Sequence, residues 1–129
     1  MNDMQTSAAV YVQTNEEGEN RIVAFDRAAD GSLSELGSYA TGGTGNGIPH
    51  LTSQGSVALT SDRRHLLVTN AGSGDVSLFA LASSGPSLVQ TVETGPAPKS
   101  VAEHDGLVYV LNTGDRRAAG VEDLSLIHI

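Results

Sequence analysis

Leu66-Leu67-Val68-Thr69-Asn70, in the middle of the chain, has a relative on either side: Tyr11-Val12-Gln13-Thr14-Asn15 and Val108-Tyr109-Val110-Leu111-Asn112. Each is a short apolar run that ends in Asn and leads into a turn containing Gly or Asp. The Asn-to-Asn spacings are 55 and 42 residues. Self-similarity at such a period marks an array of repeated supersecondary units, and no single unit can bury its apolar face alone.

One complete unit reads between residues 56 and 94. Ser56-Val57-Ala58-Leu59-Thr60 is a strand that ends at the turn Ser61-Asp62-Arg63-Arg64, and Leu66 to Asn70 is the next strand. After Ala71-Gly72-Ser73-Gly74-Asp75 comes Val76-Ser77-Leu78-Phe79-Ala80-Leu81, whose alternation places Val76, Leu78 and Ala80 on one face. Ser83-Ser84-Gly85-Pro86 makes the last turn, and Leu88 to Glu93 is the fourth strand. Gly and Pro fall between the apolar runs, where tight turns need positive or preset φ.

The same order recurs on both sides. Upstream, Ile22-Val23-Ala24-Phe25 matches Val76 to Phe79 with a turn one residue longer, and Asp30-Gly31 is a strong hairpin dipeptide. Leu36 to Ala40 is the fourth strand there, and Thr41-Gly42 matches Thr94-Gly95. A helix over Asp26 to Leu36 is disfavoured by Gly31, since Gly inside a helix costs about 1 kcal/mol relative to Ala. Downstream, Ser100-Val101-Ala102 matches Ser56-Val57-Ala58, and Ala118 to Val121 opens a third strand. The reading is all-β: propeller blades of four-stranded antiparallel sheets, about two and a half of them. The stretch Gly42 to Gly55 is an enlarged inter-blade loop.

Residues 1–123 thus form one repeat array. The tail Leu124-Ser125-Leu126-Ile127-His128-Ile129 is expected to lie outside it, because it is also the translation of a transposon mosaic end (CTG TCT CTT ATA CAC ATC). The expectation is an adapter-derived segment, residues 124–129, on a truncated gene. A native strand Leu126 to Ile129 is the alternative. An incomplete array exposes sheet faces and edges, so the polypeptide is expected to self-associate.

Composition narrows the function classes. The formal charge of −8 opposes nucleic acid or an anionic membrane as partner, because phosphate binding needs clustered cations. Only Arg63-Arg64 and Arg116-Arg117 pair up, and both pairs sit beside turns. There is no cysteine, so disulfides and thiolate metal sites are excluded. The N-terminal segment lacks the basic and apolar regions of a secretory signal, and no apolar run nears the ~20 residues that span a bilayer. The expected location is the cytoplasm.

The Tyr-Val-Gln-Thr-Asn strand, the run Asn70-Ala71-Gly72-Ser73-Gly74-Asp75-Val76-Ser77-Leu78-Phe79, the Gly-x-x-Pro lead-in and the segment Pro49 to Gln54 together resemble the lactonase-type seven-bladed β-propeller family. That family includes propeller-type 6-phosphogluconolactonases and 3-carboxymuconate cyclases. The resemblance runs from Ala9 to Val121. It implies opening or closing of a lactone ring, with a small lactone or sugar acid as ligand and no cofactor. Related repeats also build non-catalytic propellers that bind protein or carbohydrate. In phosphogluconolactonase-like members a Gly-Pro-Arg-His motif lies in later blades; the comparable lead-in here is Ala97-Pro98-Lys99-Ser100.

Lactone hydrolysis needs a base for water and cations for the oxyanion. His50, after the Gly-rich loop and before an inner strand, is the candidate for catalysis and substrate binding. Lys99, at the same lead-in one blade on, is the second candidate, for an anionic substrate. His65 and His104 are expected to be exposed. No two histidines have metal-ligand spacing, so no metal is expected. Gly42 to Gly47 lacks the Lys-Ser/Thr of a phosphate loop, and Pro49 blocks the helix such a loop needs. Asp26 to Gly31 lacks EF-hand spacing, Glu16-Glu17-Gly18-Glu19 reads as an acidic turn, and no nucleophile elbow is present.

Overall fold

A computed structural model describes residues 8–48, 55–113 and 123–128. The described residues hold ten strands and no helix: β1 Ala8–Gln13, β2 Arg21–Arg27, β3 Leu33–Ala40, β4 Val57–Leu59, β5 His65–Asn70, β6 Asp75–Ala82, β7 Gly85–Glu93, β8 Pro98–His104, β9 Leu107–Asn112 and β10 Asp123–His128. They form three antiparallel sheets, ordered β1-β2-β3, β4-β5-β6-β7 and β8-β9-β10. The complete middle sheet is the unit read between residues 56 and 94. The hairpin at Asp30-Gly31 replaces the helical alternative, with Gly31 at φ 90° and the Asp30 carboxylate accepting from Ser32 N and Oγ.

Apolar packing sits in two layers, one on each face of the middle sheet. Leu66, Val68 and Phe79 meet Ile22, Tyr11 and Tyr39 of the first sheet. Leu67, Val76 and Leu78 meet Val101, Val108 and Val110 of the third. The alternation that put Val76 and Leu78 on one face is therefore half of the pattern. Phe79 is as buried on the opposite face, while Ala80 is only half-buried. A sheet covered on both sides is the arrangement expected of a stacked blade, and each large apolar side chain buried this way contributes about 1.5–3 kcal/mol.

Two outer strands carry a bulge in the same place. Leu36 is the extra residue opposite Ala24 and Phe25, and Val89 the extra residue opposite Leu78 and Phe79. Both are exposed, at 62% and 54%. A bulge twists a sheet edge and spoils it as a template for another chain.

The repeat differs from its sequence reading at two points. Asn70 and Asn112 are the last residues of β5 and β9, but β1 stops at Gln13. Asn15 lies beyond the strand in the left-handed region, at φ 57°. In addition, Asp123 to Ile127 pair with β9 in the register that Asp75 to Phe79 hold against β5: Asp123 faces Asn112 as Asp75 faces Asn70, and Ser125 faces Val110 as Ser77 faces Val68. The Asp-Leu-Ser-Leu-Ile run thus occupies the third-strand position, with Asp, Ser and Leu at the places they hold in Asp-Val-Ser-Leu-Phe. Ala118 to Val121, expected to start that strand, and Arg116-Arg117 lie outside the described residues.

Candidate functional site

Two groups of polar residues adjoin the blades, and hydrogen bonding separates structural work from available chemistry. At the first junction Asn20, Thr41, Asn70 and Ser77 are fully buried. Asn70 Oδ1 accepts from Asn20 Nδ2 at 2.9 Å and Thr41 Oγ1 at 2.8 Å, and Asn70 Nδ2 donates to Asp75 Oδ1 and Ser77 Oγ at 2.7 and 2.9 Å. An amide side chain has two donors and two acceptor sites, so Asn70 is saturated. Ser77 Oγ in turn donates to Thr41 O at 2.6 Å. The repeated Asn, Thr, Asp and Ser are therefore the staple between blades, and nothing is left over for a ligand.

The glycine-rich loop is a spacer of the same kind. Every backbone N–H from Gly43 to Ile48 is donated within the protein, to Thr41 Oγ1, Ser73 Oγ, Glu16 O, Asn15 Oδ1, Asn15 O and Asn46 Oδ1 in order. An anion nest needs those donors free, so the geometry agrees with rejecting a phosphate loop. Glycine is required by close approach: a Cβ on Gly45 would lie 2.3 Å from Asn15 C, and one on Gly72 would lie 2.1 Å from Gly45 O.

The remaining candidates lie along β4 and β8, the first strands of the second and third sheets. β8 meets the segment leading into β4 through Val101 N, which donates to Gly55 O at 2.8 Å. At the start of β8, Pro98 pairs with Asn112 and Ser100 with Leu111, leaving Lys99 on a bulge between them. The preceding backbone is pinned: Ala97 sits at φ 54°, and its carbonyl accepts from Thr113 N and Oγ1 at 2.9 and 3.0 Å. Bulges re-aim a side chain and are frequent beside functional sites. Lys99 is half-buried. Just before it the chain borders a hollow of about 480 Å³, edged by Gly72, Gly74, Glu93, Gly95 and Ala97. His50, the other candidate, lies outside the described residues, as does the Pro49 to Gln54 segment.

At the far end of the same strands is a cleft of about 200 Å³ between the second and third sheets, lined by Thr60, Asp62, His65, Leu78, Glu103 and Gly106. Its carboxylates are occupied. Asp62 Oδ1 accepts from Arg64 N at 2.9 Å and Thr60 Oγ1 at 2.7 Å, and these bonds hold its pKa below the ordinary aspartate value. Glu103 accepts from Gly106 N at 2.8 Å and Ser61 N at 2.7 Å, and is lowered for the same reason, the Gly106 bond first. Carboxylates held ionised by backbone donors are poor proton acceptors. His65, expected on the surface, is half-buried here because the Thr60 to Arg64 turn folds over it, with His65 N donating to Thr60 Oγ1. His104 is exposed and lies 3.3 Å from Asp105, also exposed. Among the described residues no group of His, Asp and Glu is placed to hold a metal ion, and no helix is long and apolar enough to cross a membrane.

The sequence flagged Lys99 by position but not the bulge that displaces it. A non-glycine residue at positive φ leaves no mark in composition. The Ser61–Glu103 contact was invisible for a different reason: 42 residues separate its partners.

No family model matches the chain, and no curated protein matches it. Two solved structures share the fold. A protein from Lactobacillus plantarum superposes with a TM-score of 0.63 at 21% identity, over 95% of this chain and 38% of that one. A functionally unknown protein from Desulfotomaculum acetoxidans DSM 771 gives 0.61 at 18% identity, over 99% and 42%. The chain spans about two fifths of the length of either. At these identities the likeness is one of fold: antiparallel, blade-like sheets without helices.

Proposed function

We propose that this chain is part of a lactonase-like propeller, which in its full complement of blades opens or closes a sugar-derived or carboxymuconate-type lactone in the central channel. The observation that carries the reading is Lys99, lifted out of the β8 ladder on a bulge at the mouth of an inner strand. An ammonium there can meet the carboxylate or phosphate of a sugar acid, or the oxyanion formed at a lactone carbonyl. His50, at the corresponding lead-in one blade earlier, is the proposed base. No cofactor enters this chemistry, and the site is proposed to take a small molecule rather than nucleic acid or membrane. The proposed compartment is the cytoplasm. Ten strands in about two fifths of a chain correspond to about six or seven four-stranded blades in a whole one.

A pH-stat assay of gluconolactone opening at neutral pH, with a protein carrying all its blades, tests this. Acceleration above buffer that falls about ten-fold or more in Lys99→Ala supports it. No acceleration removes it.

A second reading has its own support. The repeat's Asn, Thr, Ser and Asp are consumed in blade packing, as are the loop amides, which suits a non-catalytic propeller that binds a protein or carbohydrate partner. For the 129-residue polypeptide we propose self-association through its outward sheet faces, where Val12 is 49% and Tyr109 44% exposed. Sedimentation checks this, and a clean monomer with a sharp cooperative melt overturns it.

A further inference from the structure

Glu103 joins two blades. From the next-to-last residue of β8 its Oε1 accepts Ser61 N, in the β4–β5 turn of the neighbouring sheet, at 2.7 Å, while Oε2 accepts Gly106 N of the β8–β9 turn at 2.8 Å. Both oxygens are thus used, one on each side of the cleft that Glu103 lines with Thr60, Asp62, His65, Leu78 and Gly106. The register gives this position no such role in the middle sheet. There Leu59 faces Leu66 as Glu103 faces Val108, and Leu59 is 46% exposed. The middle sheet caps its own turn with Asp62, and the third sheet uses a longer side chain that also reaches across.

We infer that the Glu103 carboxylate is an acid-operated latch between the second and third sheets. Charged, it accepts two N–H bonds and holds the two turns together. Protonated, it loses acceptor strength on one oxygen and carries a proton that neither amide can accept, so one of the two N–H bonds is given up, the other loses its charge assistance, and the lip of the cleft is free to part. Asp62 on the opposite turn and His65 at the head of β5 line the cleft with it; Arg63 and Arg64 belong to that turn, and His104 and Asp105 follow Glu103 in the chain. Of the two acidic residues among them, Asp62 and Asp105, it is Asp62 that opposes the ionised latch. The Gly106 and Ser61 bonds outweigh it and hold Glu103 below the ordinary glutamate range. The sign follows: with the folded pKa depressed, the latch is shut above the ordinary glutamate value and opens as pH falls through the lowered one.

The test is a pH titration of the backbone amides of the 129-residue chain by nitrogen-15 NMR. The latch requires the Ser61 and Gly106 amide protons to titrate together, with one midpoint below the ordinary glutamate range. Their exchange, corrected for intrinsic rates, should quicken about ten-fold below that midpoint. Glu103→Gln should abolish both titrations, and Asp62→Asn should leave them paired at a lower midpoint. Amides that ignore pH, that titrate separately, or that lose their transition in Asp62→Asn overturn the inference. The unsubstituted chain and Asp62→Asn suffice for this decision should Glu103→Gln not fold.

Discussion

Thr41 Oγ1 donates to Asn70 Oδ1 at 2.8 Å across the junction of the first two sheets, with both residues fully buried. Thr41 also fixes its own sheet, its N donating to Asn20 O at 3.0 Å while Oγ1 lies 3.0 Å from the same carbonyl. Thr94, at the matching place in the middle sheet, repeats this on Gly74 O, at 3.0 and 3.3 Å. A glycine close behind each Thr, two residues after Thr41 and one after Thr94, lets the next blade's Asn come close. A Cβ on Gly43 would lie 2.6 Å from the Asn70 amide, and one on Gly95 would lie 3.1 Å from Asn112 Nδ2.

Asn70→Ala takes one buried partner from the Asn20 amide, the Thr41 and Ser77 hydroxyls and the Asp75 carboxylate. The expected loss is about 2–4 kcal/mol in a urea melt, since a buried group left without its partner costs about 1–3 kcal/mol. Asn70→Asp keeps the shape but puts a carboxylate 2.7 Å from where Asp75 already sits. It should be worse than Ala at neutral pH and recover as the pH is lowered, because protonation removes one of the two facing charges.

Gly72→Ala places a methyl group 2.1 Å from the Gly45 carbonyl, a backbone atom that cannot swing aside. A loss of about 3 kcal/mol, or failure to fold, is expected. Gly18→Ala is the matched control, with nothing within 4 Å of its Cβ, and its thermal midpoint should stay within about 2 °C.

Phe79→Ala empties the layer between the first two sheets, where Phe79 is 1% exposed. The cost should be about 3–5 kcal/mol. Val89→Ala, on the exposed bulge opposite Phe79, should change stability by less than about 0.5 kcal/mol.

Acid should weaken the turns before the sheets. Asp30 is held below its ordinary pKa by the Ser32 hydroxyl and then the Ser32 N–H, and Asp62 by Arg64 N and then Thr60 Oγ1. Both are acids with depressed folded values, so their contribution is present above the ordinary aspartate range and disappears as pH falls through the lowered values. Stability measured from pH 6 down to 3 should decline, and the decline should be shallower in an Asp30→Asn, Asp62→Asn double variant. An equal slope in the double variant contradicts this assignment.

The blades were legible because apolar runs and Gly-containing turns alternate so regularly that nine of the ten strands follow from the pattern alone. What misled was the assumption that Asn always closes its strand. The turn after Asn15 is longer than the one after Asn70, so the first copy slides, and Tyr11 faces Ala24 where Leu67 faces Leu78. The tenth strand enters the sequence reading only as the alternative Leu126 to Ile129, because ten residues, rather than four, separate Asn112 from its Asp. In the candidate site, Lys99 was named from its lead-in, whereas the acceptors that spend the loop amides and the reach of Glu103 across the cleft are long-range relations that no local pattern encodes.

A double-mutant cycle on Thr41→Val and Asn70→Ala measures the polar staple between blades directly. Urea unfolding of the parent, both single variants and the double should give a coupling of about 1 kcal/mol or more, with the double far less destabilised than the sum. Additivity within about 0.3 kcal/mol would contradict the staple and leave the blades held by their apolar layers alone.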